Sequence, residues 1–406
     1  MTDYPELIET LLKPELVALS AVDRDAARRR VRKMAADRQA FYRGSLGMGA
    51  WWMVRKAGLT GAWAWTAGDV HHENFATLSV GPGKPDAPPP VTYDLADVDD
   101  EHPAPWRWDV LRLLGSVVLA KPDQKGSEFS GIAAALLASY GSALGAEGEG
   151  SRAMPRPPAA LRDLIDEDDT DVRRQAFLSR LVQGEGDDAR LRLGPDLIKD
   201  LPARGFFVPA LTSAYEGSAL RVTLLDIARR STGGMSSLGR RRWFVLAVER
   251  SAGRDARAGR LRLIEIKERP PSALSRYVQV HPFAPAPGPA ASFTITMGND
   301  PFQRVVHGPS GTYLARTRCH ARRTVDVAAL EHVELERMAE YWGVVLANAH
   351  VRGMRALKCD VDARTRDIAV EAGAAAKDLA RLGWELAAFT NKAYGAFRKM
   401  AKGWEE

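Results

Sequence analysis

The stretch Gly68-Asp69-Val70-His71-His72-Glu73-Asn74-Phe75 decides how this chain is read. Asp69 and Asn74 stand five positions apart, and Gly68 permits backbone angles that other residues resist. A tight loop of that length returns its fifth residue to the side of the first, so a carboxylate and an amide oxygen can share one face. A second acidic group follows 23 residues after Asn74, where Asp97 opens Asp97-Val98-Asp99-Asp100-Glu101. Four carboxylates in five residues repel one another unless water or a cation screens them. A bound metal is the economical explanation, and a wet acidic turn is the alternative. Val91-Thr92-Tyr93, bounded by Pro88-Pro89-Pro90, is strand-like and places Asp97 beyond the end of a short strand. Taken alone, the first eight residues also suit a solvated turn in which Asp69 and Asn74 bond only local backbone.

Phosphoryl transfer asks for this set of groups. One carboxylate orients the attacking hydroxyl, while an amide oxygen and a further carboxylate hold Mg²⁺ against the nucleotide phosphates. On that reading Asp69 is the catalytic residue, Asn74 and Asp97 hold metal, and Asp99 assists. The spacing resembles the catalytic loop and metal-binding Asp of protein-kinase-type phosphotransferases, and the short block is similar to that of aminoglycoside and choline phosphotransferases. That resemblance implies ATP and Mg²⁺ as cofactors and a small hydroxyl-bearing acceptor, with a protein acceptor less favoured.

A phosphate grip is expected further along. Residues 220–228, 242–248 and 261–267 are three successive strand patterns. Between the first two lies Ser231-Thr232-Gly233-Gly234-Met235-Ser236-Ser237-Leu238-Gly239, whose glycines and hydroxyls can expose backbone N–H groups in a concave loop. Gly233, Gly234, Ser236, Ser237 and Gly239 are therefore candidate phosphate contacts, with Lys267 at the end of the third strand as the phosphate-binding lysine. The other reading of Lys267 is a strand-end lysine whose head reaches solvent. Glu268 is a candidate partner for it. In protein kinases the glycine loop and lysine precede the catalytic loop, whereas here they follow it. A circularly permuted order reconciles the two, since catalysis requires only convergence in space.

Elsewhere the patterns are helical. Asp23 can cap a run through Val31 and Met34, and Arg43 before Gly44 reads as a helix-end residue bonding terminal carbonyls more readily than as a site residue. Residues 108–118 read as a buried helix with Asp109 near its start, either bracing the catalytic loop or simply capping. A helix is expected from about Asp326 to His350, with Leu335, Met338, Tyr341, Trp342, Val345 and Leu346 as its core stripe; His350 could face the site, with a packed helix-end histidine the favoured reading. The expected organisation is α+β, protein-kinase-like and permuted, with a mostly antiparallel central sheet flanked by helices. Residues 1–150 would form a helical lobe with the catalytic and acidic segments, 151–200 a linker and helical insert, 201–320 the β-rich nucleotide-phosphate lobe, and 321–406 helices completing the first lobe.

Composition agrees with a packed chain: 406 residues, 45% hydrophobic, with 57 basic against 51 acidic side chains for a net charge of +6. That mild bias suits a phosphate-rich ligand and is too small to demand nucleic acid. The densest basic run, Arg316 to Arg323, lacks the interleaved aromatics that stack on bases. Cys319 and Cys359 form no C-x-x-C pair, and neither a signal peptide nor an apolar span is evident, so a cytoplasmic location with no membrane partner is expected.

Several blocks together carry a wider resemblance. Gly68-Asp69-x-His71-x-x-Asn74-Phe75, Asp97-Val98-Asp99-Asp100, Pro105-Trp106-x-Trp108-Asp109-x-x-Arg112-Leu113, Phe41-Tyr42-Arg43-Gly44, Ile266-Lys267-Glu268 and Leu346-Ala347-x-Ala349-His350 are similar to the bacterial domain-of-unknown-function 2252 family. The likeness runs from about residue 34 to 355. It departs at Val98, where Phe is expected, at Asp100, where Glu is expected, and in the looser glycine pattern of Gly233 to Ser236. Two other classes compete with a phosphotransferase. Asp69-Val70-His71 also fits a fragment of a metallophosphoesterase, although the Gly-Asn-His and Gly-His-x-His elements of such enzymes do not follow. A nucleotide-binding pseudokinase would share every residue and differ only in turnover.

Overall fold

The structure is a computed structural model that describes residues 2–79, 91–145, 154–166, 170–216, 218, 221–231, 240–250, 260–283, 300–308, 311–320, 322–357 and 359–404. The chain begins with helices Tyr4–Leu7 (α1), Lys13–Val22 (α2), Arg24–Ala36 (α3), Arg38–Gly44 (α4) and Leu46–Lys56 (α5). Asp23 accepts the Ala26 amide at 2.8 Å and so starts α3 as its sequence predicts; Asp37 does the same for α4 through Ala40. Strands Trp63–Thr66 (β1), Phe75–Leu78 (β2), Thr92–Leu95 (β3) and His102–Pro105 (β4) follow, β1 pairing with β4 and β2 with β3. Next come helices Arg107–Ala120 (α6), Gly126–Leu144 (α7), Ala159–Asp166 (α8) and Thr170–Leu181 (α9).

A six-stranded sheet is built from the middle of the chain. After the short pair Val182–Gln183 (β5) and Arg190–Leu191 (β6) come Leu197–Lys199 (β7), helix Leu201–Tyr215 (α10), Arg221–Arg230 (β8), Arg242–Arg250 (β9), Arg260–Arg269 (β10), Arg304–Gly308 (β11) and Gly311–Thr317 (β12). The spatial order is β11-β12-β10-β9-β8-β7, with every pairing antiparallel. The three expected strands are thus neighbours, each running slightly further than its sequence pattern. Even positions of β10, Ile264 and Ile266, pack with Phe207 and Leu211 of α10 on one face. The opposite face is apolar at Leu246 and Leu263 and turns charged toward Glu265 and Lys267.

The chain closes with His332–Ala356 (α11) and Val361–Ala401 (α12). The α11 boundaries correct the expected Asp326 start: Asp326 caps a separate 3₁₀ turn, Val327–Ala329, and the helix begins after it and runs past His350. Its expected stripe is buried throughout. One core joins α1–α7 to α11 and α12, so both ends of the chain build the same helical body. The architecture is mixed α+β with an antiparallel sheet flanked by helices. Among the described residues no helix is long and apolar enough to cross a membrane. Parts of the expected linker (146–153) and of a Pro-rich loop (284–290) lie outside the described residues, as do Gly233, Gly234, Ser236, Ser237 and Gly239.

Candidate functional site

Helix α6 organises the site. Residues 108 to 119 are all buried, which a helix apolar on every side satisfies, yet Asp109, Arg112 and Ser116 interrupt the apolar run. Their spacing of three and then four places them on one stripe, and each holds part of the Gly68–Asn74 loop. Asp109 accepts the amides of Ala67 at 2.7 Å and Gly68 at 3.0 Å. Arg112 pairs with the Asp69 carboxylate and stacks over the Tyr42 ring, 3.8 Å from its centroid. Ser116 Oγ accepts the His72 amide at 3.0 Å. Behind them, His350 Nε2 lies 3.0 Å from Asp109 Oδ2 and its Nδ1 2.7 Å from the Tyr140 hydroxyl. A carboxylate only accepts, so Nε2 carries the hydrogen and donates it to Asp109. Asp109 therefore braces the loop, and His350 is a buried mid-helix residue supporting that brace, not a helix-end packing residue.

The loop itself is tightly fixed. Gly68 has φ +84°, and a Cβ there would sit 2.1 Å from the Asp100 carbonyl oxygen, so glycine is required for both conformation and space. Asn74 Nδ2 donates to the Asp69 carbonyl at 2.6 Å, and its own carbonyl accepts the Ala96 amide at 2.7 Å. Those bonds set Asn74 beside the residue preceding Asp97, across the β2–β3 ladder. Burial pushes the Asp69 carboxyl up, Arg112 opposes it, and the outcome is about 6. Burial likewise carries His72 down to about 4 and His71 well below its ordinary value. Arg43 pairs with Glu73 within the loop, while the Gly44 carbonyl is taken by Arg30 at 3.0 Å. The helix-end role expected for Arg43 thus belongs to Arg30.

The acidic segment meets the sheet. Lys267 Nζ lies 3.4 Å from Asp97 Oδ1 and pairs with Asp99, although these segments are 170 positions apart. Lys267 is 3% exposed, which sets aside the solvent-reaching reading. Arg240 stands 3.0 Å from Asp99 and 3.8 Å from Asp100, and Arg269 4.0 Å from Glu101. Burial alone would raise Asp97, but Lys267, Arg316 and Arg322 overcome it and hold the carboxyl well below the usual range. Glu101 faces Trp65 Nε1 at 2.9 Å and burial lifts it to about 7. Repulsion among these carboxylates is thus offset by protein cations, so it no longer calls for a metal. Among the described residues no group of three His, Cys, Asp or Glu side chains converges as a metal site. Glu268 pairs with Arg241 at 2.9 Å, not with Lys267.

Beyond Lys267 a cleft continues between the β2–β3 hairpin and the sheet. Leu78, Leu95 and Ala96 form its floor, and Glu265, Arg316, Arg318 and Arg322 its charged wall. Glu265 shares the face of Lys267 two residues on, and Arg242, Arg230 and Arg318 stand 3.4, 3.8 and 3.9 Å from it. Burial raises this carboxyl, Arg318 and Arg242 outweigh that, and it settles at about 2. The basic run at Arg316 is therefore a wall of this cleft. Arg112, Ser116, Arg240 and Glu265 received no role from motif reading. The polar positions at 109, 112 and 116 inside an apolar helix were the signal for the first two; for Arg240 and Glu265 only the sheet register reveals the site.

No curated protein and no solved structure matches the chain. Residues 23–400 match a family model described as an uncharacterized protein conserved in bacteria (DUF2252), which extends the likeness carried by the motifs nearly to both ends, and the chain belongs to that family.

Proposed function

We propose that the protein is a kinase-like phosphotransferase with a permuted order of elements, moving the γ-phosphoryl group of ATP to a hydroxyl of a small molecule. The observation that carries this reading is the meeting of Lys267 with Asp97 and Asp99 beside the loop that joins Asp69 to Asn74. Mg²⁺ characteristically uses one or two carboxylates together with substrate phosphates and water, so a three-carboxylate cluster is not needed. Asp97, held ionised, and the Asn74 amide oxygen are hard oxygen donors of the kind that requirement asks for, and the Ala96–Asn74 backbone bond supports their assignment to one ion. The bound ion would neutralise charge on the β- and γ-phosphates.

The chain's own residues divide the remaining work. Lys267 leaves Asp97 and Asp99 for the phosphates, a move between two anionic partners that keeps its buried ammonium compensated. Residues 233–239 are assigned to the phosphate grip on their glycines and hydroxyls alone, and Arg316, Arg318 and Arg322 add positive charge beside Lys267. Asp69 accepts the hydrogen of the acceptor hydroxyl, with Arg112 fixing its carboxylate and a value of about 6 suited to a base at neutral pH. The test is thermal unfolding with ATP, with and without Mg²⁺, followed by turnover. ATP should stabilise the protein more with Mg²⁺, and Asp97→Asn should erase that increment. Asp69→Asn should keep nucleotide binding while turnover falls by about 10²–10⁴-fold. Absence of any nucleotide stabilisation, or equal loss of binding and rate in Asp69→Asn, refutes the reading.

A further inference from the structure

A second cleft of about 480 Å³ lies between α2–α3 and the segment that follows β10, with Asp100 and Arg240 on its wall. That size matches small-molecule sites, which commonly span about 300–1,000 Å³. Its walls carry Glu15, Arg30, Asp100, Arg240, Glu268 and Arg276, with the hydroxyls of Ser272 and Ser275 between them. Asp100 faces Arg240 at 3.8 Å and Glu268 faces Arg241 at 2.9 Å, while Glu15 stands 3.9 Å from Arg276 and feels Arg30 more strongly still. Arg30 makes no ion pair among the described residues. Its guanidinium donates to the Gly44 carbonyl, and its Nε is buried with no hydrogen-bond partner. Burial, then the neighbouring Arg240, hold Arg30 below the ordinary guanidinium range, and Glu15 only partly opposes them. Arg30 is half-buried, and Glu15, Asp100 and Asp69 offset its charge only from beyond ion-pair distance, so an anion entering the cleft would give its guanidinium a direct charged partner.

The cleft also adjoins the reacting carboxylate. Asp100, on its wall, packs its carbonyl against Gly68, immediately before Asp69. Asp69 is felt electrostatically by both Arg30 and Arg240.

We infer that this cleft is the acceptor site and that its acceptor is a hydroxylated small molecule bearing a carboxylate or phosphate group, the anion held by the Arg30 guanidinium and the hydroxyl turned to Asp69. The inference rests on the phosphotransfer reading for the hydroxyl's fate, while the anion site stands on the cleft alone. In the transfer, the acceptor oxygen forms a bond to the γ-phosphorus as the bond to the β-bridging oxygen breaks. The hydroxyl proton passes to Asp69, and the nucleoside diphosphate leaves with the bonding pair.

The probes are glycerol, glycerate and glycerol 3-phosphate, titrated calorimetrically into the full chain. Glycerate and glycerol 3-phosphate should bind and glycerol should not. Arg30→Gln should weaken both anions at least tenfold, whereas Arg381→Gln, at an exposed arginine of α12 that lines neither cleft, should leave them within about threefold. If Arg30→Gln fails to fold, Arg30→Lys replaces it, with loss of the planar fork expected to weaken binding severalfold. Equal binding of glycerol, silence of all three probes, or anion affinity unchanged by Arg30 substitution overturns the proposal. Arg30-dependent anion binding in a protein that ATP and Mg²⁺ fail to stabilise would instead remove the phosphotransfer reading and leave the anion site standing.

Discussion

Replacing Asp109 by alanine tests whether the Gly68–Asn74 loop is held from behind. The carboxylate is fully buried and takes three donors: the Ala67 amide at 2.7 Å, the Gly68 amide at 3.0 Å and His350 Nε2 at 3.0 Å. Each buried donor left without an acceptor costs about 1–3 kcal/mol. Partial rearrangement or an entering water recovers some of that, so Asp109→Ala should lose about 4 kcal/mol, within the range of about 3–5 kcal/mol for breaking buried ion-pair networks. Asp109→Asn preserves the volume and one acceptor oxygen but turns an N–H toward a donor, and should lose about half as much. Urea unfolding at fixed pH measures the loss through the midpoint, with the slope serving to show that the unfolded state has not changed. Amide hydrogen exchange gives the local readout, because Ala67 and Gly68 should exchange faster while the helices stay protected. In a double-mutant cycle with His350→Gln the two losses should be non-additive by more than about 1 kcal/mol. A loss below about 1 kcal/mol for Asp109→Ala, with unchanged exchange at Ala67 and Gly68, would refute the bracing role.

Other expectations follow from the same geometry. Because Asp69 titrates near 6, above its ordinary 3.8, turnover should rise with pH to a plateau with a midpoint near 6. The folded state also retains this proton that the unfolded chain has already lost, so stability contributed at this position should fall as pH rises from about 4 through 6, a dependence that Asp69→Asn should remove. Lys267→Met leaves Asp97 and Asp99 without their shared cation and should destabilise the protein by about 3–5 kcal/mol, measured by urea unfolding; adding Asp97→Asn should recover part of it. Gly68→Ala forces a Cβ toward the Asp100 carbonyl at positive φ and should lose at least about 2 kcal/mol; a fully stable variant would mean that the loop is not confined as described.

Local chemistry was legible and long-range pairing was not. Asp23 and its cap, the three strands that end with Lys267, and the buried stripe of α11 all announce themselves through periodicity and end signals within a few residues. Gly68 could be singled out because positive φ is a local property. By contrast, the counter-charges of the acidic segment come from Lys267, Arg240 and Arg269, more than 130 positions away, and no local pattern encodes them. That is why mutual repulsion suggested a metal. Arg43 departed from its expected carbonyl-bonding role for a similar reason: a helix-end arginine reads the same whether it bonds a carbonyl or crosses to Glu73, and Arg30 takes the Gly44 carbonyl instead. The start of α11 moved because Asp326 is a good cap for either a helix or a single turn, and the tie is broken by packing.

The shared helical core has a consequence for synthesis. Tyr140 and Asp109 leave the ribosome long before His350, which completes their hydrogen-bond chain, and the six-stranded sheet must emerge in between. The nascent amino-terminal helices therefore wait with their apolar faces uncovered until α11 and α12 arrive to close the core. Contacts so distant along the chain slow folding, since the closure entropy is spent before the packing is gained. A pause or truncation between β12 and α11 should thus leave a species with a preformed sheet, an open helical core and an unassembled loop at Asp69, so that the conformation of the Gly68–Asn74 loop is fixed only once α11 and α12 have docked.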